Sequence, residues 1–241
     1  MSIKDLTQKS FSVLIIRSFG VLLLFGFTLF ITNFFTAENV GRYDFVRSTL
    51  MVLGGLALMG TNQSIIYYSG LLKARKSIES IRTIYFKMLR IIVALSLIIL
   101  GLFLGLFNES AITQTFNSTE SYALILKSIL TLIFFATTML NIDTIRALQN
   151  TILSEIYRSL FRYIPVFIFA IILIQYNQQP YLVEAYLLGF VLLSVFSGVK
   201  VLNMLASLKK LNDNSEKFSI KDIFKTSAPM ALSAIAYFIM Q

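Results

Sequence analysis

Apolar residues in this chain gather in long unbroken blocks instead of alternating with polar ones. The blocks run over 10–36, 41–70, 80–107, 120–147, 152–176 and 180–208, and a seventh starts near 220. The cleanest stretch, "IIVALSLIILGLFLGLF" from Ile91 to Phe107, carries no charge. A hydrocarbon core of roughly 30 Å needs about 20 helical residues at 1.5 Å each, and each block approaches or exceeds that length. Continuous runs point to helices, since barrel strands would give short alternating segments. The pattern predicts an all-α, polytopic membrane helix bundle: six transmembrane helices and the start of a seventh. The first block is too long for a cleaved signal peptide, and no small-residue cleavage site leading into soluble sequence follows it.

Composition agrees with the pattern. Of 241 residues, 56% are hydrophobic and 14% charged, against about a quarter charged in a soluble domain. Lys and Arg set the expected orientation. Leu71 to Arg90 holds Lys73, Arg75, Lys76, Arg82, Lys87 and Arg90. Arg146 to Arg162 adds Arg158, and Ser207 to Lys225 holds five lysines. The loops "NESAITQTFNSTES" and "YNQQPYLVEA" have Glu109, Glu120 and Glu184 and no Lys or Arg. The basic side is therefore expected to be cytoplasmic, N-terminus included. The formal charge of +9 then reads as an orientation signal toward membrane lipids and not toward nucleic acid.

With no Cys and no His, thiol and imidazole chemistry and any His/Cys metal site are excluded. No GxxxxGK[ST] occurs, so this sequence encodes no ATP-driven motor. No catalytic residue, metal or cofactor is expected, and the chain reads as no enzyme.

After the sixth block comes "LKKLNDNSEKFSIKDIFKTSAPM", polar and charged, which reads as a linker. Thr226 or Ser227 can cap a new helix, with Pro229 in its first turn. The chain then stops at Gln241, which is expected to fall inside a transmembrane helix. "KSFSVLIIRSF" and "KTSAPMALSAIAYF" open the first and seventh helices in similar ways, and six spans return the chain to its starting side. Parallel repeats are a recurrent transporter plan. The expected organisation is a six-helix lobe over 1–208, an inter-lobe linker over 209–225, and the truncated start of a second lobe over 226–241.

The run from Ser12 to Gly70, the linker and the "SAPMALSAIAYFIM" restart carry Gly41-x-Tyr43, Gly60-Thr61-x-x-x-Ile65 and Pro229. In these the chain resembles polysaccharide flippases of the multidrug/oligosaccharidyl-lipid/polysaccharide superfamily, a MATE-like group. The resemblance covers the chain as the N-terminal half of a usual member. It implies an inner-membrane transporter that moves undecaprenyl-diphosphate-linked oligosaccharide outward by alternating access, for O-antigen, capsule or exopolysaccharide assembly. Its implied partners are the lipid-linked oligosaccharide, membrane lipids and polysaccharide polymerase machinery. Two alternatives stand beside it. A cation-coupled multidrug exporter of the same superfamily would want a carboxylate at membrane depth, and Asp44, Asp143 and Glu184 lie near helix ends. A polysaccharide polymerase or ligase would want a large outer loop, and the outer loops here are short.

Charged and hydroxyl residues in the spans supply the candidate substrate site. Arg17 shares a helix face with Gly20, Leu24 and Thr28. Arg47 shares one with Asp44, Gly54 and Thr61, ahead of Asn62, and Lys127 shares one with Thr131, Thr138 and Asn141. Arg17, Arg47 and Lys127 are the expected cationic wall for a diphosphate. Thr28, Thr61, Asn62, Thr131, Thr138 and Asn141 are the expected polar lining. Blander readings remain for each cation. Arg17 and Lys127 can snorkel to headgroups, and Arg47 can pair with Asp44 at i, i+3. The same spacing suggests Asp143 with Arg146, and Glu155 with Arg158.

Overall fold

A computed structural model describes residues 3–208 and 218–239, with side chains over 7–208 and 218–232. Residues 209–217, most of the expected linker, lie outside the described residues. The described elements are helical: α1 (Ile3–Phe34), α2 (Ala37–Leu58), α3 (Thr61–Ala74), α4 (Ile81–Leu106), α5 (Glu109–Phe116), α6 (Ser121–Ala147), α7 (Thr151–Ile156), α8 (Ile164–Gln175), α9 (Leu182–Ala206) and α10 (Ile220–Ile239). Among the described residues, five stretches are long and apolar enough to cross a membrane: Thr7–Phe34, Ile78–Leu106, Ser121–Ala147, Thr151–Gln175 and Gln179–Ala206. The bent pair α2 and α3 makes a sixth. The protein is an all-α, multi-pass membrane bundle. Phe19, Leu22, Phe25, Leu104 and Phe196 are exposed on its surface, where lipid is the compatible solvent.

The second block is one continuous run in sequence but two helices in space. Met59 (φ 45°) and Gly60 (φ 75°) are both left-handed, and the axis bends by 42° between α2 and α3. Gly60 accepts such a φ without a Cβ penalty. A Cβ there would also strike the α10 backbone at Ser227 and Ala231. Packing of α10 against this break is sealed by a Ser64 to Ser227 hydroxyl bond of 2.7 Å and by the Tyr68 hydroxyl donating to Thr226 Oγ1 at 3.0 Å.

The α10 helix starts where the seventh block was expected to, near 220, but Thr226 and Ser227 do not cap it. The helix begins at Ile220, so Thr226, Ser227 and Pro229 all lie inside it. Its cap is the reciprocal pair Ser219 and Asp222: the Ser219 N–H donates to Asp222 Oδ2 at 2.8 Å, and the Asp222 N–H donates to Ser219 Oγ at 3.1 Å. Satisfying both orphan donors sets the cap seven residues before Thr226.

The central element is α6, which packs against α2, α3, α4 and α9. Leu132, Ala136 and Leu140 of α6 are buried in these contacts. Its approach to α2 is close because Gly54 has no side chain; a Cβ there would collide with the Phe135 ring. A polar node fastens α4, α6 and α9. Asn141 accepts from the Tyr85 hydroxyl at 2.7 Å and donates to Ser197 Oγ at 3.0 Å.

The fifth span is also broken. Between α7 and α8 a π-helical turn covers Tyr157–Phe161, a form that recurs at functional positions. The bundle has two ends. One carries α5 and the 177–181 turn, and the other carries the 148–150 turn and the start of α10. They are called here the α5 end and the α7 end.

Candidate functional site

Each cation singled out in the sequence is met by a carboxylate. Arg17 on α1 grips Glu155 on α7 with a two-bond fork, Nε to Oε1 at 3.1 Å and Nη2 to Oε2 at 3.0 Å. Ser159 Oγ donates to the same carboxylate at 2.7 Å. Arg47 pairs with Asp44 on its own helix at 3.2 Å, the i, i+3 arrangement that the spacing allowed. Lys127 on α6 donates to Glu184 on α9 at 2.5 Å. Arg42 bonds Glu38 at 2.8 Å and also reaches Glu120 on the turn before α6.

The two local pairings expected near the α7 end do not form. Glu155 faces α1 and takes Arg17, while Arg158 crosses to Asp143, whose other oxygen accepts from Asn62 Nδ2 at 3.2 Å. Arg146 makes no ion pair with Asp143. Both carboxylates are buried, so each is claimed by whichever guanidinium the neighbouring element brings to it. Arg158 lies within the π turn at Tyr157–Phe161.

The three cations are not brought to one point. Glu155, which fixes Arg17, lies four residues from Thr151, about 6 Å by rise. Lys127 lies twenty residues up α6 from Ala147, about 30 Å from that same end. One diphosphate cannot touch both. Lys127 instead shares a small cleft of about 150 Å³ at the α5 end with Arg42, Glu120 and Glu184.

The expected polar lining also divides. Thr61 and Asn141 are buried among helices, with the Thr61 hydroxyl donating to Leu58 O at 2.7 Å. Thr138 is buried as well, and its hydroxyl has no partner among the described residues. These three are buried between packed helices. Thr28 and Thr131 turn their hydroxyls back to the carbonyls of Leu24 and Lys127, both at 3.0 Å. Asn62 is engaged with Asp143. A stripe in a helical projection selects one direction, which for α6 is the interior at Thr131, Thr138 and Asn141 and an open cleft at Lys127.

The residue that sequence reasoning missed is Arg162. It was grouped with the basic side, yet it lies eleven residues beyond Thr151, about 16 Å into the fifth span. Its guanidinium carbon sits 5.7 Å from the Tyr163 ring centroid, 5.8 Å from Phe190 and 6.0 Å from Phe135. No carboxylate among the described residues lies within salt-bridge reach of it, and its buried Nε has no acceptor there. The Tyr186 ring packs 5.2 Å from Phe190 and 5.0 Å from Tyr43, and its buried hydroxyl lies beside the Arg162 guanidinium; the Tyr43 hydroxyl is buried without a partner among the described residues. Cation–π contacts of about 0.5 to 2 kcal/mol each offset the cost of roughly 3 kcal/mol or more for a cation at this depth without neutralising the charge. The signal was present in the sequence: in "SLFRYIPVF" an arginine stands ten residues inside a block read as a span from 152.

Compared with known proteins, the chain matches no family model, no curated protein and no solved structure.

Proposed function

We propose that this chain forms a six-helix lobe of an inner-membrane flippase for undecaprenyl-diphosphate-linked oligosaccharide, working by alternating access in surface polysaccharide assembly. The observation that carries the reading is Arg162, a mid-span cation with no carboxylate in reach among the described residues. An anionic group that arrives transiently suits such a cation, and a diphosphate can take a guanidinium fork through two oxygens. Arg17, Arg47 and Lys127 hold their charges on carboxylates and enter the mechanism only if those pairs open during the cycle. The exporter alternative wants a free carboxylate at depth, whereas Asp143 and Glu155 are each tied to an arginine. The transported lipid-linked sugar and the polymerase machinery that would consume it are the partners this reading implies.

The test is surface polysaccharide in a flippase-deficient strain, normalised to membrane abundance, with each substitution made in the full reading frame. Arg162→Gln should cost about 1.5 to 3 kcal/mol of a charge-assisted contact, roughly ten- to a hundredfold in apparent affinity. Arg162→Lys should rescue only in part, because the point charge survives and the planar fork does not. Normal output from Arg162→Gln at matched abundance would end the proposal that this residue meets the substrate. The N-terminus is placed in the cytoplasm by the Lys and Arg asymmetry. A single cysteine at Asn117 should then react with an impermeant thiol reagent in intact cells, and protection of that site would reverse the orientation.

A further inference from the structure

Toward the α5 end, an open groove of about 530 Å³ runs between α2 and α4 with α6 as its floor. Phe45, Val52 and Leu56 form one wall, and Leu102, Phe103 and Phe107 form the other. Val52, Leu56 and Leu102 are exposed. Ser48 and Thr49 are the two hydroxyl residues in the wall; the Thr49 hydroxyl is spent on the Phe45 carbonyl at 2.8 Å, and the rest of the lining is apolar. From Phe45 to Leu56 the groove follows eleven residues of α2, about 16 Å of helix. Half of a hydrocarbon core is about 15 Å. The groove is as deep as one leaflet.

Its upper end is of another kind. Phe45 and Phe116, in edge contact at 5.3 Å, line both the groove and a neighbouring cleft of about 550 Å³. That cleft is far more polar than the groove, lined in part by Glu38, Arg42, Asn117, Ser118, Thr119 and Glu120. Arg42 bridges the two glutamates. Their side chains nonetheless stay 73% and 48% exposed, so each carboxylate keeps open lone pairs. The cleft holds two carboxylates and one guanidinium, a net charge of minus one. An apolar slot of leaflet depth thus opens, at headgroup height, into a pocket offering acceptors beside a single cation.

We propose that this composite site holds one phospholipid from the leaflet on the α5 side, with a headgroup carrying a primary ammonium next to its phosphate. One acyl chain lies along α2 and α4. The ammonium donates to Glu38 and Glu120, and the phosphate faces Arg42. A uniformly anionic headgroup meets net negative charge, and a quaternary ammonium has no N–H to give the carboxylates. An added helix would cover the groove and leave the polar cleft unanswered, which is why the site selects a lipid over a second copy of the chain. The site is separate from Arg162 and does not depend on the transport reading.

The experiment is native mass spectrometry of the purified full chain in detergent, titrated with phosphatidylethanolamine, phosphatidylcholine and phosphatidylglycerol of identical acyl chains. One ethanolamine lipid should be retained, about tenfold more tightly than the glycerol lipid. The double variant Glu38→Gln/Glu120→Gln should abolish the preference for ethanolamine over choline while still binding lipid. Val52→Trp, on an exposed position, should displace lipid of every class, with Leu102→Trp as a second filling variant should the first lose its melting transition. No retained lipid, tighter binding of phosphatidylglycerol, or unchanged retention in a folded groove-filled variant would overturn the proposal. So would a lipid-free dimer that Val52→Trp dissociates, which would give the groove to a second copy.

Discussion

Removing the Arg17 guanidinium probes the link between α1 and the rest of the bundle. The Glu155 side chain is 9% exposed and that of Arg17 is 59% exposed. Arg17→Gln therefore strands a buried carboxylate whose remaining donor is the Ser159 hydroxyl at 2.7 Å. Breaking a fully buried pair from one side costs about 3 to 5 kcal/mol, whereas exposed pairs are worth about 0 to 1 kcal/mol. One partner here is buried and the other mostly solvated, so about 1 to 2 kcal/mol is expected. That is roughly a 5- to 30-fold change in the folding equilibrium. Glu155→Gln strands no buried charge and should cost less, and adding Arg17→Gln to it should change little. The assay is an SDS titration of the purified protein in mixed micelles, followed by far-UV circular dichroism across the double-mutant cycle. The two substitutions should couple by about 1 kcal/mol or more. Additivity within about 0.3 kcal/mol would refute the pairing and, with it, the placement of α1 against α7.

Two further predictions use the same titration. Gly54→Ala places a Cβ in collision with the edge of the Phe135 ring and should destabilise by about 1 to 3 kcal/mol; combined with Phe135→Leu it should cost less than the sum, and simple additivity would count against the close approach of α2 and α6. Arg158→Gln should destabilise by about 1 to 3 kcal/mol by leaving Asp143 with Asn62 alone, whereas Arg146→Gln should stay within about 0.5 kcal/mol. Equal losses from these two would favour the pairing expected from spacing alone.

The elements were legible because their causes are local. A run of about 20 apolar residues needs a hydrocarbon-sized environment wherever it sits in the chain, and the spans appear within a few residues of the sequence expectation. The pairing of Arg47 with Asp44 was legible for the same reason: both partners share one helix and one turn. What escaped depends on distance in sequence. Arg17 and Glu155 are 138 positions apart, so nothing within either segment announces the bond, and local spacing instead offered Arg158 to Glu155. The break at Met59 and Gly60 is invisible to hydropathy, since both halves are apolar; the arrival of α10 against Gly60 makes its lack of a side chain matter. Ser219 and Asp222 were readable as a cap, but a proline farther on drew attention to the wrong turn. Arg162 shows the division most plainly. Its depth followed from counting residues, while its aromatic surroundings are contributed by α6 and α9 as well as its own span. Local hydrophobicity decides how many helices cross and where they begin, because it acts on each segment separately. Only packing decides which charges meet and which stay unpaired, because that energy belongs to contacts between segments.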